Sequence, residues 1–207
     1  MLTVVTPAAS MALTTLEALK DELALSATGD DVWLTDTIAR ASATIERWCG
    51  RIFALETVQE TFRIDRATDL LVLSRWPVAS VVSIVAGGVG LAADEWELDA
   101  DNGDLYRLGV GDQRKVWPIG KTVVTYSAGF ILPGAEGRDL PADIEAACIV
   151  LSGRAFHAKG RDPALRSYEN PDVESYSFVD PDKLLTVDGL PADVAERLRP
   201  YRQVVIG

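Results

Sequence analysis

The spacing of apolar and polar positions predicts one long helix over residues 30–50. Its apolar residues recur at steps of four and three, which is the pattern of one face of an amphipathic helix. Asp30 lies where an N-cap belongs, and Gly50 lies where a helix commonly ends. We expect this helix to be a scaffold element, since nothing in its composition indicates chemistry. The apolar face consists of Leu34, Ile38, Ala41, Ile45 and Trp48.

Three further helices are predicted, and together with the long helix they give a helical bundle core. The first of them begins at a capping box formed by Thr14 and Glu17. The other two begin at the same Leu-Pro-Ala-Asp sequence, with Pro141 at the first helical position of the earlier one. We interpret this echo as repeated helix-start chemistry. The predicted ranges are about 14–25, 141–159 and 191–199.

Between the helices, residues 57–127 predict a mostly antiparallel β-unit. Val58, Phe62 and Ile64 alternate with polar residues, which is the period of a half-buried strand. Asn102-Gly103 is typical of a two-residue hairpin turn between two short strands. The pattern therefore changes from a helical period to a strand period and back again along the chain.

These elements predict an α+β fold, with 1–207 as a single domain and 57–127 as a β-rich insert. Residues 1–12 are expected to form an extended arm. Residues 161–207 are expected to form an irregular segment, a short helix and a C-terminal tail. The 207 residues, of which 48% are hydrophobic and 25% charged, suffice for a buried core and are typical of a soluble globular protein.

The charge balance argues against tight, non-specific binding of nucleic acid. Twenty basic and 31 acidic residues give a net charge of −11, and a surface of that sign repels phosphate backbones. A wall of this charge would let DNA slide past without holding it. No apolar run approaches the roughly 18 residues that span a membrane. The N-terminal sequence lacks the basic region of a signal peptide, so the expected compartment is the cytoplasm.

The titratable residues offer little chemistry. Cys49 and Cys148 are expected to be buried free thiols, with a disulfide or a reactive thiol as the alternatives. One histidine and two distant cysteines do not make a zinc site of the usual kind. Cys148 and His157 are nine residues apart on one predicted helix, which is too far for a catalytic pair. We therefore interpret His157 as a cation at a helix C-terminus.

Two other patterns superficially suggest ligands. The acidic loop that starts at Asp99 resembles a calcium loop, but Gly103, Asp104 and Val110 lie where an EF-hand needs an acid or amide, a glycine and a glutamate. The five tryptophans could stack on sugars, but core positions are expected for most of them. We predict no enzyme activity, no catalytic residue, no metal and no cofactor.

Several moderate motifs follow one another in a fixed order across most of 13–168, and none is a catalytic signature. They lie at 13–20, 30–31, 38–51, 75–78, 125–129, 140–147 and 160–163. In this order they resemble the head–tail connector (adaptor) proteins of tailed phages and of phage-derived gene transfer agents.

The resemblance implies a structural, non-enzymatic virion component at the head–tail interface of a phage or phage-like particle, assembled in the host cytoplasm. About a dozen copies would form a ring beneath the portal protein and extend the DNA channel towards the stopper, or tail-completion protein. The implied partners are the portal, the neighbouring copies and the stopper. DNA would pass through the channel without specific binding, and no membrane is involved.

Two segments are candidates for contacts with the portal or within the ring. An apolar triplet follows a proline stop near the C-terminus, and the 161–189 segment carries Tyr176 and Phe178 close together. We expect one or both to order on the portal, for example by strand addition. The candidate contact residues are Tyr201, Val204, Val205, Ile206, Tyr176 and Phe178.

Two alternatives from other classes remain open at this stage. A carbohydrate- or peptide-binding β-module would present an exposed tryptophan platform. A small hydrolase would need carboxyl groups of perturbed pKa in one cleft.

Overall fold

The computed structural model describes residues 1–160 and 186–203 in full. Between these ranges it describes the backbone of two short strands, Ser167–Asn170 and Glu174–Ser177. Four α-helices and several antiparallel sheets in this part of the chain confirm the predicted α+β fold. The helical bundle core stays a prediction, as does the single domain.

The chain forms two compact units. The first comprises Met1–Met11 and Ile52–Asp139, and the second comprises Ala12–Arg51 and Leu140–Gly207. Each unit is therefore built from two separate stretches of sequence. The β-rich insert predicted at 57–127 lies within the first unit.

Nine strands form the first unit. They are β1 (Leu2–Thr6), β2 (Glu56–Ile64), β3 (Leu70–Val72), β4 (Val78–Ala86), β5 (Val89–Gly90), β6 (Trp96–Asp99), β7 (Asp104–Leu108), β8 (Arg114–Lys115) and β9 (Gly120–Ala128). One sheet has the order β1-β2-β9-β4-β5, and the other has the order β3-β7-β6, with β8 on β7. Every neighbouring pair of strands in the two sheets is antiparallel, as the sequence predicted.

The predicted extended arm is part of the larger sheet. The Met1 ammonium donates to Thr61 O at 2.9 Å, and Thr61 N donates to Met1 O at 2.8 Å. From there β1 runs antiparallel to β2, with Leu2 opposite Glu60. A short apolar segment at the chain's start therefore becomes an edge strand.

Both sheets contribute side chains to one buried core. Alternation along β2 and β9 directs Val58, Val124 and Tyr126 inwards, as the strand period requires. Leu71 on β3 and Leu105 on β7 belong to the same buried cluster. The two sheets thus cover each other's apolar faces.

The hairpin between β6 and β7 corrects one prediction. Asp99 and Asp104 close the ladder, so the loop has four residues rather than two. The Asp99 carboxylate accepts hydrogen bonds from the backbone of Asp101 and from both the backbone and the side chain of Asn102. Gly103 then takes φ +74°. The aspartate therefore organises a longer turn than Asn-Gly alone would give.

Four helices and two short hairpins form the second unit, and all four predicted helices are present. The helices are α1 (Leu16–Glu22), α2 (Asp31–Cys49), α3 (Ala142–Ala158) and α4 (Ala192–Leu198), followed by a 3₁₀ turn at Arg199–Tyr201. The hairpins pair β10 (Ser167–Asn170) with β11 (Glu174–Ser177), and β12 (Thr186–Val187) with β13 (Leu190–Pro191). Gly50 ends α2 in the left-handed region at φ +70°, as the sequence predicted.

The start of α1 differs from the predicted capping box by one residue. Thr15 is the N-cap, and its hydroxyl accepts from Ala18 N at 3.1 Å. Thr14 is buried, and its hydroxyl donates to Glu145 Oε1 at 3.3 Å. Since Thr14 and Thr15 are equally suited to capping, only their burial distinguishes their roles.

The repeated Leu-Pro-Ala-Asp sequence has the same structural role at both places, which is to start a helix. Pro141 and Pro191 are the N-caps of α3 and α4, with almost equal backbone angles of −53°, 133° and −55°, 138°. The preceding Leu140 and Leu190 are both buried. The helix α3 therefore begins one residue after Pro141, which the sequence placed at the first helical position, and the echo is a helix-start motif.

The prediction of core positions for most tryptophans is wrong. Trp117 is buried, and its ring nitrogen donates to Asp69 O at 3.2 Å. The other four are partly exposed: Trp33, Trp48, Trp76 and Trp96.

Candidate interaction surfaces

The predicted contact residues fall into three groups. Tyr201 is half-buried at the end of the 3₁₀ turn, where burial and then the Asp143 carboxylate raise the pKa of its hydroxyl. Tyr176 lies on β11, opposite Tyr168 on β10. Phe178 and the triplet Val204, Val205 and Ile206 lie outside the described residues. The structure therefore does not test whether these residues share one surface.

The segment before that triplet is attached to the C-terminal end of α2. Gln203 N donates to Cys49 O at 2.8 Å. The Arg202 guanidinium lies 4.7 Å from the centre of the Trp48 ring and pairs with Asp188 at 2.8 Å. Trp48, which the sequence assigned to the helix's apolar face, is thus a platform for the C-terminal segment. These contacts fix the chain at Arg202 and Gln203.

A groove of about 400 Å³ lies along α2 and α3 within the second unit. Small side chains such as Ala41 and Ala155 leave the space, and Trp33 forms one wall. The Trp33 ring packs edge-on against Phe156, with 6.3 Å between the ring centres, and lies 4.8 Å from Lys159 Nζ. The residues that line the groove are Trp33, Thr37, Arg40, Ala41, Thr44, Leu151 and Ala155. The groove is a mostly apolar depression with one cation, Arg40, in its lining, and Lys159 contacts the Trp33 ring.

A second groove, of about 420 Å³, lies in the first unit and is mostly apolar. It is lined by residues 8–10, 54–55 and 130–135. The 54–55 and 130–135 stretches are held together by backbone hydrogen bonds, from Leu55 N to Phe130 O at 2.9 Å and from Phe130 N to Phe53 O at 2.7 Å. This close approach depends on Gly129, at φ +110°, where a Cβ atom would lie 2.4 Å from Ala54 O.

Two carboxylates occupy inward positions on β2, where the strand pattern otherwise places apolar residues. Glu60 Oε2 accepts from Tyr126 Oη at 2.8 Å and from Ser74 N at 3.0 Å, and its other oxygen accepts from the Ser74 hydroxyl. Glu56 pairs with Arg75 at 2.7 Å. Burial, and then the Glu60 charge, raise the pKa of Tyr126.

These acids were not identified from the sequence as functional or structural residues. The signal that could have found them is an acid at a strand position where the alternation predicts a buried apolar residue. This occurs at Glu56 and again at Glu60. Their donors all come from the same unit and the acids are buried, so their role is to fix the 74–75 loop against the sheet.

The arrangement offers little for nucleophilic or metal chemistry. Burial raises the pKa of Cys49 to about 11 and also raises that of Cys148, and both cysteines are free. His157 is exposed at the end of α3. Among the described residues, no cluster of three potential metal ligands occurs. The free, buried cysteines confirm the interpretation made from the sequence.

The helices of the described ranges do not include one with the length and apolar character needed to cross a bilayer.

Comparison with known proteins gives one family and one fold. The model of the head completion protein family (HCP) matches residues 12–159, which span parts of both units. No curated protein sequence matches the chain.

Three solved structures match the whole of this chain and 98% of theirs, each at 20% identity. They are the neck of an empty gene transfer agent (GTA) particle computed with C6 symmetry (TM-score 0.60), the virion of a native GTA particle (0.61) and the neck of a native GTA particle computed with C12 symmetry (0.59). This chain shares their fold.

Proposed function

Because this chain belongs to the head completion protein family, we propose that it is a structural head–tail connector at the neck of a phage or phage-like particle. The observation that carries the proposal is the family match over 12–159, which includes most of the β-rich unit as well as α1, α2 and α3. The fold of the chain is also that of proteins in GTA necks and virions. We expect the chain to act there through surfaces rather than through a catalytic site.

The proposed assembly is a ring of identical copies, about a dozen in number, seated beneath the portal protein. Two of the similar neck structures were computed with C6 and C12 symmetry, which supports a ring. The ring would extend the DNA channel towards the stopper. The net charge of −11 suits a channel wall that must not hold DNA.

A non-enzymatic role is also supported by the chemistry of the described residues. The Cys49 and Cys148 thiols are buried and have raised pKa values, so the nucleophilic thiolate is disfavoured. The pKa of the Asp99 carboxyl is lowered, first by its hydrogen bond from the Asn102 side chain. A lowered pKa is the opposite of what a general acid needs at neutral pH.

We further propose that the C-terminal triplet Val204–Ile206 contacts the portal, with Tyr176 and Phe178 as candidate contacts from the 161–189 segment. The support is the attachment of Arg202 and Gln203 to α2, which gives the apolar triplet a fixed starting point. Deletion of residues 204–207 leaves that attachment intact. We expect this deletion to weaken portal binding without changing the thermal unfolding of the chain. Portal binding that the deletion leaves unchanged would exclude the triplet as a portal contact.

The decisive experiment is cryo-electron microscopy of the purified chain mixed with the matching portal. A ring of this chain stacked on the narrow end of the portal is the expected result. Absence of any association, with intact portals and particles in the same sample, would contradict the proposal. Glycan titrations followed by tryptophan fluorescence would then test the carbohydrate-binding alternative, which stays a prediction.

A further inference from the structure

The five-stranded sheet of the first unit has two open edges of equal length. At one edge, β1 pairs with β2 alone. At the other, β5 covers only Val85 and Ala86 of β4. Among the described residues, no strand pairs with the outer side of 79–83. Both edges therefore leave unpaired the outward-facing N–H and C=O groups of alternate residues over a five-residue stretch, which is a template for strand addition.

The two edges also have matching side chains. Thr3-Val4-Val5-Thr6 on β1 and Ser80-Val81-Val82-Ser83 on β4 share the order hydroxyl, valine, valine, hydroxyl. Neither edge contains a charge or a proline, which are common means of blocking edge-to-edge association. Val5 is 55% exposed and Val82 is 63% exposed. An uncharged apolar edge of this kind in a strongly acidic protein indicates a partner that is itself uncharged at the contact.

The strand directions allow the two edges to meet between copies. From β1 through β2 and β9 to β4, each neighbour is antiparallel to the last, so β4 runs antiparallel to β1. In a ring of many copies, a small rotation relates adjacent subunits, and β1 of one copy would lie antiparallel to β4 of the next. Four strands give each copy a width of about 19 Å at the usual spacing of about 4.8 Å.

We propose that β1 of one copy adds to the 79–83 edge of the adjacent copy, so that one β-sheet continues around the ring. The inference rests on the proposed ring and names the surfaces that join its subunits. The contact is heterologous, because two different edges meet, and heterologous contacts close into a ring when the rotation permits. Backbone hydrogen bonds supply the pairing, as in other cases of strand addition.

Irregularities in both edges explain how the ring could form without uncontrolled polymerisation. The register shifts between Val4 and Thr6 on β1, and at two places between Val78 and Ser83 on β4. Such bulges shorten the regular stretch available for pairing and are a known protection of edge strands. A single contact is therefore weak, and we expect it to persist only where the portal holds adjacent copies together.

The test is chemical cross-linking of a double variant, Val4→Cys with Val82→Cys, assembled on the portal. A short bis-maleimide reaches direct and diagonal neighbours of an antiparallel pair, which lie within about 8 Å. The native Cys49 and Cys148 side chains are buried, with 0% exposure each, so they contribute little background. We expect a covalent ladder from dimers up to the full ring. The matched control pairs Val4→Cys with Val110→Cys, a fully exposed loop position, and should give no ladder.

The outcomes separate this inference from the proposed function. A portal-bound ring in the microscope with no ladder above the control overturns the inference and leaves the connector role in place. Absence of a ring overturns both. As a second variant, Val82→Lys should clearly lower the occupancy of the ring on the portal, because it places a charge in the contact, whereas Val110→Lys should leave the occupancy unchanged. A normal ring from folded Val82→Lys protein would also overturn the inference.

Discussion

At the scale of single residues, Glu60 shows how a carboxylate can occupy an apolar phase of a strand. Its side chain is buried, and Tyr126 and Ser74 supply the hydrogen bonds that replace water. A buried acceptor that keeps its donors costs little, whereas one that loses a donor retains the cost of desolvation. Removing the Tyr126 hydroxyl is therefore a more informative test of this cluster than replacing Glu60.

We expect Tyr126→Phe to lower the free energy of unfolding by about 1–3 kcal/mol, because it removes only the hydroxyl that donates to Glu60. Urea unfolding followed by circular dichroism measures this change. Tyr106→Phe is the matched control, since the Tyr106 ring, rather than its hydroxyl, contacts Arg114 at 3.6 Å. Equal unfolding midpoints for both variants would contradict the structural role of the cluster.

The raised pKa of the buried Cys49 thiol predicts that the folded chain loses stability at alkaline pH. Burial raises its pKa from 9.0 to about 11, so between these values the unfolded chain releases the proton and the folded chain keeps it. Proton release on unfolding makes stability fall as pH rises. The stability difference between the native chain and Cys49→Ala should therefore narrow by about 2 kcal/mol from pH 8 to pH 10.5. Denaturant unfolding of both proteins at each pH measures this stability difference. A difference that stays constant would exclude ionisation of Cys49 as a cause of the alkaline loss of stability.

At the scale of elements, the sequence predicted helices well and turns less well. The period of α2 and its terminal Gly50 identified that helix to within a residue at each end. The cap of α1 was misplaced, because Thr14 and Thr15 are chemically alike and only burial beside Glu145 separates them. The predicted contact residues were not tested, since most lie outside the described chain. Open sheet edges depend on strand order, which no local pattern contains.

Thr15→Ala should lower the free energy of unfolding by about 1 kcal/mol through loss of the α1 N-cap. Thr15→Ser should restore most of the loss, because serine keeps the accepting oxygen. Thr35→Ala is the control, since that exposed hydroxyl only donates to a carbonyl of its own helix. Thermal unfolding measures all three. A larger effect at Thr35 than at Thr15 would place the helix start elsewhere.

Gly129→Ala should destabilise the first unit far more than Gly120→Ala. Both glycines have similar positive φ values, +110° and +119°, so both substitutions carry the same kind of backbone strain. At Gly129 the new Cβ atom would also lie 2.4 Å from Ala54 O, whereas nothing lies within 4 Å at Gly120. We expect a cost of about 1–3 kcal/mol at Gly120 and clearly more at Gly129. Equal denaturation midpoints would contradict the close backbone approach beside the groove.

At the scale of the whole molecule, function depends on surfaces and charge. The family match spans parts of both units, so neither unit alone represents the connector. The net charge of −11 is a property of the sequence, whereas its arrangement around the proposed channel would arise only in the assembly. In the proposed ring, repetition of an acidic subunit would multiply its field, so the channel should repel DNA more strongly than a single copy does.

This argument predicts that neither the monomer nor the portal-bound ring binds duplex DNA tightly. Fluorescence anisotropy of a labelled duplex, titrated at about 50 mM salt, should show no binding at micromolar concentrations, where non-specific DNA-binding proteins already bind. Low salt is the more demanding condition for this test, because it strengthens any contact between cations and phosphates. Micromolar binding that weakens steeply as salt increases would reveal a concentrated basic surface facing the DNA. That result would exclude a purely repulsive wall, even if the ring itself assembles as expected.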